Sequence, residues 1–264
     1  MGSRILRMAL TIAAIGAGVV FASACNGSGD KPEITVAAAA DLRVALNELA
    51  PTYEQTCTCK VTLTYGSSGT FATQIKEGLP ADVFASANIS YVDDLDSAGL
   101  IVSDTKQLYA VGRIVVAFPS TAARAPGGLS DLVGPDIRKV SIANPEHAPY
   151  GVAAKEALIA TGLWAQVEPH LVLAENAAQA TQFVETGDAQ AGIVPLSLAI
   201  RNKNGLKYKL IDDSLHAPLR QAGAVLKRSK HQDIAAAFLK FINGPEGRSV
   251  MKKYGFVLPG EEAP

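Results

Sequence analysis

Four turns in this 264-residue chain carry the residue types that could do chemistry. They are Ala39-Ala40-Asp41-Leu42, Gly66-Ser67-Ser68-Gly69-Thr70, the loop from Asn144 to Gly151 that contains His147 and Tyr150, and Ala174-Glu175-Asn176-Ala177. In each, a strand-like run gives way to a helix-like run. The first amides of a helix have no intrahelical acceptor, and the helix dipole adds partial positive charge there. Several helix starts brought together therefore hold an anion without a cationic side chain. Taken singly, each turn has an ordinary explanation. Asp41 and Asn176 suit N-caps, Ser67 and Ser68 suit turns, His147 suits an orienting position in a proline-flanked loop, and Tyr150 suits a buried aromatic with a satisfied hydroxyl.

Other chemistries fit less well. Ser67 and Ser68 lie in GSSG rather than in a GxSxG nucleophile elbow. His147, His170, His216 and His231 show neither metal spacing nor triad order. No GxxxxGK[ST] phosphate loop occurs. A cation site would need clustered Tyr, His or carboxylates, and only Glu146, His147 and Tyr150 are neighbours. The chain reads as a binding protein rather than an enzyme.

The elements that must position these turns alternate. Strands are expected at 34–39, 60–65, 82–85, 114–118, 140–143, 171–173, 191–194 and 222–226. Helices are expected from Asp41, through Phe71 and Ile75, and over 89–98, 152–161, 178–185, 234–242 and 246–254. Continuous apolar strands such as Ile34–Ala39 suit a sheet covered on both faces. Strand–helix alternation predicts an α/β fold with mostly parallel sheets flanked by helices. Ligands in such sheets sit at the carboxyl ends of the strands, where the four turns fall.

Composition sets the outer bounds. A formal net charge of −1 provides no basic field for nucleic acid. Aromatic residues at 6% leave little material for stacking platforms. Arg4 and Arg7, the apolar run Met8–Phe21 and the small residues Ala22-Ser23-Ala24 before Cys25 form a secretory signal over residues 1–24. The run is short for a bilayer span, which needs about 20 residues. Ala22-Ser23-Ala24-Cys25 resembles a bacterial lipobox, which implies lipidation of Cys25 and residence on the outer face of the cytoplasmic membrane or in the periplasm. The polar stretch 25–33 reads as a flexible tether. Cys57 and Cys59 sit in TCTC, where a bridge, two free thiols or a surface metal contact are all open.

Five stretches, ITVAAAADL, YGSSGTFATQIKEGLPADVFASA, ANPEHAPYGVAAKEAL, DAQAGIVPLS and GPEGRSVMKKYGFVLP, occur in the same order as in bacterial molybdate-binding proteins, the substrate-binding subunits of molybdenum ABC importers. The resemblance covers essentially the whole mature body. It implies a type II periplasmic-binding-protein fold with two hinge crossovers. Lobe 1 would comprise residues 34–112 with 216–260, and lobe 2 residues 113–215. It implies a monomer without a cofactor, working with a membrane permease and an ATPase. The ligand, molybdate or tungstate, would be held as a dianion by neutral donors, with sulfate the alternative oxyanion. Carried over position by position, the donors fall on Ala40 and Asp41, Ser68, Tyr150 and Ala177, with Ser67 and Pro195 as secondary positions. Molybdenum would be bound only as molybdate, through these residues. Ala40 lacks the hydroxyl common in relatives, and Pro195 offers neither N–H nor hydroxyl. Two expectations follow. The Asp41 carboxylate turns back to cap its own helix, and the Tyr150 phenol covers the oxygen that Pro195 cannot reach.

Overall fold

The computed structural model describes residues 31–200 and 205–261. The signal segment 1–24, Cys25 and most of the tether lie outside the described residues.

Two five-stranded sheets organise the body. The first begins with β1 (Glu33–Ala39), followed by α1 (Arg43–Cys57), β2 (Lys60–Gly66), α2 (Ser68–Glu77), β3 (Val83–Ser86), α3 (Ile89–Ser97) and β4 (Gln107–Gly112). The second takes β5 (Ile114–Pro119), β6 (Val140–Ala143), α4 (Pro149–Ala160), α5 (Trp164–Val167), β7 (Leu171–Ala174), α6 (Ala177–Thr186), β8 (Ala191–Pro195), α7 (Leu196–Ile200) and β9 (Leu206–Leu210). The chain then returns to the first sheet as β10 (Leu219–Val225) and ends in α8 (Gln232–Ile242) and α9 (Pro245–Lys253).

Strand order is β2-β1-β3-β10-β4 in one sheet and β7-β6-β8-β5-β9 in the other. The expectation of mostly parallel sheets needs correction. Each sheet is mixed, with two parallel and two antiparallel pairings. The reversed strands are β10 and β5, the two that follow a crossing between sheets. A strand that enters straight from the neighbouring sheet has no helix to turn it round, so it lies antiparallel.

β1 lies inside its sheet, between β2 and β3, and is fully buried from Ile34 onward apart from Thr35, as its apolar run requires. It starts at Glu33, paired with Lys60, so the tether ends earlier than expected. α1 turns Val44, Leu46, Leu49 and Tyr53 inward. The Tyr53 ring meets Phe238 of α8 edge-on at 5.1 Å, and its hydroxyl donates to Ile234 O at 2.7 Å. Thr58 closes α1 with a left-handed φ of 53°, which brings Cys57 and Cys59 into a disulfide with Cα atoms 5.1 Å apart.

The two crossings between sheets run side by side. Gly112-Arg113 leads from β4 to β5, and residues 211–218 lead from β9 to β10. Arg113 Nε lies 3.1 Å from Asp213 Oδ2, tying one crossing to the other. Strands β4 and β9 and helices α5 and α7 lie outside the elements expected from sequence, and β10 starts three residues earlier than expected. That extension places Gln221 on a buried strand.

Candidate anion-binding site

The four turns converge. One small cavity of ≈ 10 Å³ is lined by Ala40, Asp41, Ser67, Ser68, Tyr150 and Ala177, together with Ala39, Gly66, Ala87, Ala148 and Pro149. Pro195 is not in the lining. It closes β8 opposite Ile114, and the next amide, Leu196 N, bonds Arg113 O at 2.9 Å.

Each lining turn presents an amide for a local reason. Ala40 and Asp41 open a single 3-10 turn that runs into α1. Ser68 is the first residue of α2 and Ala177 the first of α6. Tyr150 is the second residue of α4, behind Pro149, whose missing N–H makes it a natural helix opener. Asn176 Oδ1 caps α6 by accepting from Ala178 N and Gln179 N, both at 3.0 Å, which leaves the Ala177 amide over. Among the described residues, the amides of Ser68, Tyr150 and Ala177 have no protein acceptor. The Ser68 hydroxyl accepts from Ala87 N at 2.9 Å, so its own proton is available to the cavity. No Lys or Arg side chain lines the space. Donor groups without cations describe an anion site built on partial charges.

Ties between the two sheet systems flank the cavity. Ser67 Oγ donates to His147 O, and Gly69 N donates to the same oxygen at 3.0 Å. Gly69 makes this approach possible, because a Cβ there would lie 2.6 Å from His147 O. Ser197 Oγ of α7 donates to Asp41 O at 2.9 Å. His147 Nδ1 lies 3.1 Å from Ser67 Oγ, the one Ser–His contact at the site. It does not form a nucleophile and base. The serine proton goes to the His147 carbonyl, so the imidazole can only donate to Oγ, the reverse of general-base geometry.

The Asp41 side chain departs from expectation. Its carboxylate feels the amides of Asp41 and Leu42 at its own helix start, but its geometric hydrogen bonds go elsewhere. Its Oδ2 accepts from Gln221 Nε2 at 2.7 Å and from the Tyr150 hydroxyl at 2.9 Å. Burial pushes the Asp41 carboxyl up to about 6, while the bonds from Gln221 and Tyr150 and the backbone amides of Asp41 and Leu42 pull it down. Oδ1 has no hydrogen-bond partner. Burial raises Tyr150 well above the usual phenol range, and the adjacent Asp41 adds to the effect. The Tyr150 hydroxyl therefore gives its proton to Asp41 rather than to a ligand oxygen, and its amide is the donor left for the cavity. Sequence reasoning missed Gln221, Ser197 and the His147 carbonyl. No local pattern marks them, because they lie 180, 156 and 106 residues from Asp41 along the chain.

A larger hollow of ≈ 530 Å³ lies between Phe118 and Gln190. Its cation, Arg124, is paired with Asp131 at 3.0 Å and lies over the Phe118 ring. It has no comparable convergence of donors. Among the described residues, no group of three or more His, Cys, Asp or Glu is placed to hold a metal ion.

Two α/β lobes exchanging strands at paired crossings, with donors from both on one small cavity, define a two-lobed periplasmic-binding-protein fold. The chain belongs to the bacterial extracellular solute-binding protein family, whose model matches residues 34–257. It is 33% identical over 254 residues to the molybdate-binding protein ModA of Azotobacter vinelandii, covering 94% of this chain and 96% of that one. It is 30% identical over 254 residues to the putative ABC transporter substrate-binding lipoprotein YvgL of Bacillus subtilis strain 168, covering 94% and 95%. Among solved structures, the Azotobacter vinelandii periplasmic molybdate-binding protein superposes with a TM-score of 0.80 at 27% identity, over 86% of this chain and 99% of that chain. These relatives are binding proteins. Among the described residues, no helix is long and apolar enough to cross a membrane.

Proposed function

We propose that this chain captures molybdate, or its near-isostere tungstate, outside the cytoplasmic membrane and delivers it to an ABC importer. The observation that carries the reading is the convergence of unpaired first-turn amides and the Ser68 hydroxyl on one cation-free cavity. The names of the relatives narrow the anion to molybdate.

A site made of donors favours an oxyanion that carries no proton. A protonated oxyanion would set its own O–H against a donor and leave both unsatisfied. Phosphate and arsenate are disfavoured on that ground. Sulfate is unprotonated, so only cavity size works against it. Ala40, Asp41, Ser67 and Ser68 belong to the first lobe, and Tyr150 and Ala177 to the second. The lobes divide at Gly112-Arg113 and within 211–218. A ligand bonded from both sides favours the closed arrangement. On this reading the chain binds and releases the oxyanion without reaction and without a cofactor. It works as a monomer, held to the membrane by lipid on Cys25, with a permease and an ATPase as partners.

Calorimetry with molybdate, tungstate, sulfate and phosphate tests the reading. Molybdate and tungstate are expected to bind far more tightly than sulfate, and phosphate to bind weakly or not at all. Preference for sulfate, or binding of none of the four, refutes it. Radiolabelled palmitate should enter the wild-type chain and not Cys25→Ala. A label that persists in the variant ends the anchoring proposal.

A further inference from the structure

Tyr150 stands on α4 of the second lobe, yet its hydroxyl ends among groups of the first. Asp41 Oδ2 accepts from it at 2.9 Å, and Gln221 Nε2 donates to it at 3.1 Å. Gln221 also bonds Asp41 Oδ2 at 2.7 Å, so the three polar groups close a ring. Tyr150 is 3% exposed, and Asp41 and Gln221 are 0% exposed. Gly112, beside the first crossing, supplies the remaining wall. A Cβ there would sit 2.2 Å from the Tyr150 hydroxyl oxygen, 2.8 Å from Gln221 Nε2 and 3.0 Å from Tyr150 Cζ.

We infer that Asp41, Gln221 and Gly112 form a socket that receives the Tyr150 hydroxyl on closure, and that Gln221 is a positioning residue for oxyanion capture. The inference rests on the capture reading above. Its logic lies in the two ends of Tyr150. The hydroxyl enters the socket while the amide of the same residue faces the cavity at the start of α4. Seating the ring fixes the register of the first turn of α4, and so aims its amide at the ligand. Gln221 does this without touching the ligand. Its amide is the one group that bonds both Asp41 and Tyr150, so it holds the carboxylate where the phenol must arrive. The socket selects geometry more than it adds stability. It buries a carboxylate with one oxygen unpaired, and Gln221 Oε1 is also unpaired, which offsets much of what the three bonds contribute. Ligand is therefore still needed to hold the lobes shut.

The full-length chain is compared with Gly112→Ala, Tyr150→Phe, the double variant and Gln221→Leu. Molybdate affinity comes from calorimetry, release from stopped-flow displacement by tungstate, and compaction from small-angle scattering. Gly112→Ala is expected to weaken molybdate binding more than 10-fold and to abolish ligand-induced compaction. Tyr150→Phe alone is expected to weaken it only a few-fold. In the double variant the colliding oxygen is gone, so affinity should return to within about 3-fold of Tyr150→Phe. Gln221→Leu should speed release about 10-fold, and should add almost nothing in a Tyr150→Phe background. Gly112→Ala binding like wild type, or no rescue by Tyr150→Phe, overturns the socket. If Gly112→Ala does not fold, the Gln221→Leu and Tyr150→Phe pair decides, and additive effects overturn it. A wild-type chain that ignores molybdate refutes the capture reading instead.

Discussion

Asp41→Asn is the perturbation whose size follows most directly from the structure. The carboxyl is fully buried, and burial raises it from 3.8 to about 6. The folded chain therefore holds this proton to higher pH than the unfolded chain does. Between pH 3.8 and about 6 the native state binds more protons than the unfolded state, and unfolding free energy falls as pH rises. The contribution is fully present below pH 3.8 and is lost as pH passes through 6. At 1.36 kcal/mol per pH unit, the span from 3.8 to 6 amounts to about 3 kcal/mol of destabilisation at pH 7. Several exposed carboxylates, among them Glu33, Asp96 and Glu261, are held below their ordinary values by hydrogen bonds and act in the opposite sense. They are common to both proteins and cancel in the difference. Asn at position 41 keeps an acceptor for Tyr150 and cannot ionise. Urea unfolding of both proteins from pH 4 to pH 8 should show Asp41→Asn gaining on wild type by about 3 kcal/mol over that range, with equal m-values. A difference that stays flat with pH, or that runs the other way, refutes the claim that Asp41 is an ionisable group buried at a net cost.

Three further outcomes follow from the same geometry. Ser68→Ala removes the side-chain hydroxyl left free for the cavity. At about 1.5–3 kcal/mol for a hydrogen bond to a charged group, molybdate affinity measured by calorimetry should fall roughly 10- to 100-fold. Affinity within twofold of wild type would mean that this hydroxyl does not reach the ligand. Gly151→Ala would place a Cβ 2.1 Å from Ala143 O, a backbone atom that cannot swing away. Thermal unfolding should show a loss of about 1–3 kcal/mol from such overpacking, and an unchanged melting temperature would contradict it. The Cys57–Cys59 bridge closes a ring of only three residues. Loop-closure entropy then limits its stabilisation to about 2 kcal/mol, so denaturation with and without reductant should differ by no more than that.

The parts of this protein that sequence reveals are the parts set by near neighbours. Val140–Ala143 reads as a strand because Val140, Ile142 and Ala143 are apolar around a single small serine, Ser141. The helix starts at Ser68, Pro149 and Ala177 are legible because a helix must leave its first amides unpaired whatever surrounds it. β4 was not legible, because Gln107-Leu108-Tyr109-Ala110-Val111-Gly112 mixes buried and half-buried positions without a clean period. β9 is a different case. Leu206-Lys207-Tyr208-Lys209-Leu210 alternates as an edge strand should, and the signal lay in the period of two. The side-chain partners at the site belong to neither kind. Residue type shows that Tyr150 carries two donors, a phenol and an amide. It does not show which one faces the ligand. That choice is made by Gln221 and Asp41, 180 residues apart, together with the bare Cα of Gly112. A change at Gly112, far from the helix starts in sequence, is therefore expected to alter ligand binding more than a change at Ala40, where only the backbone is presented.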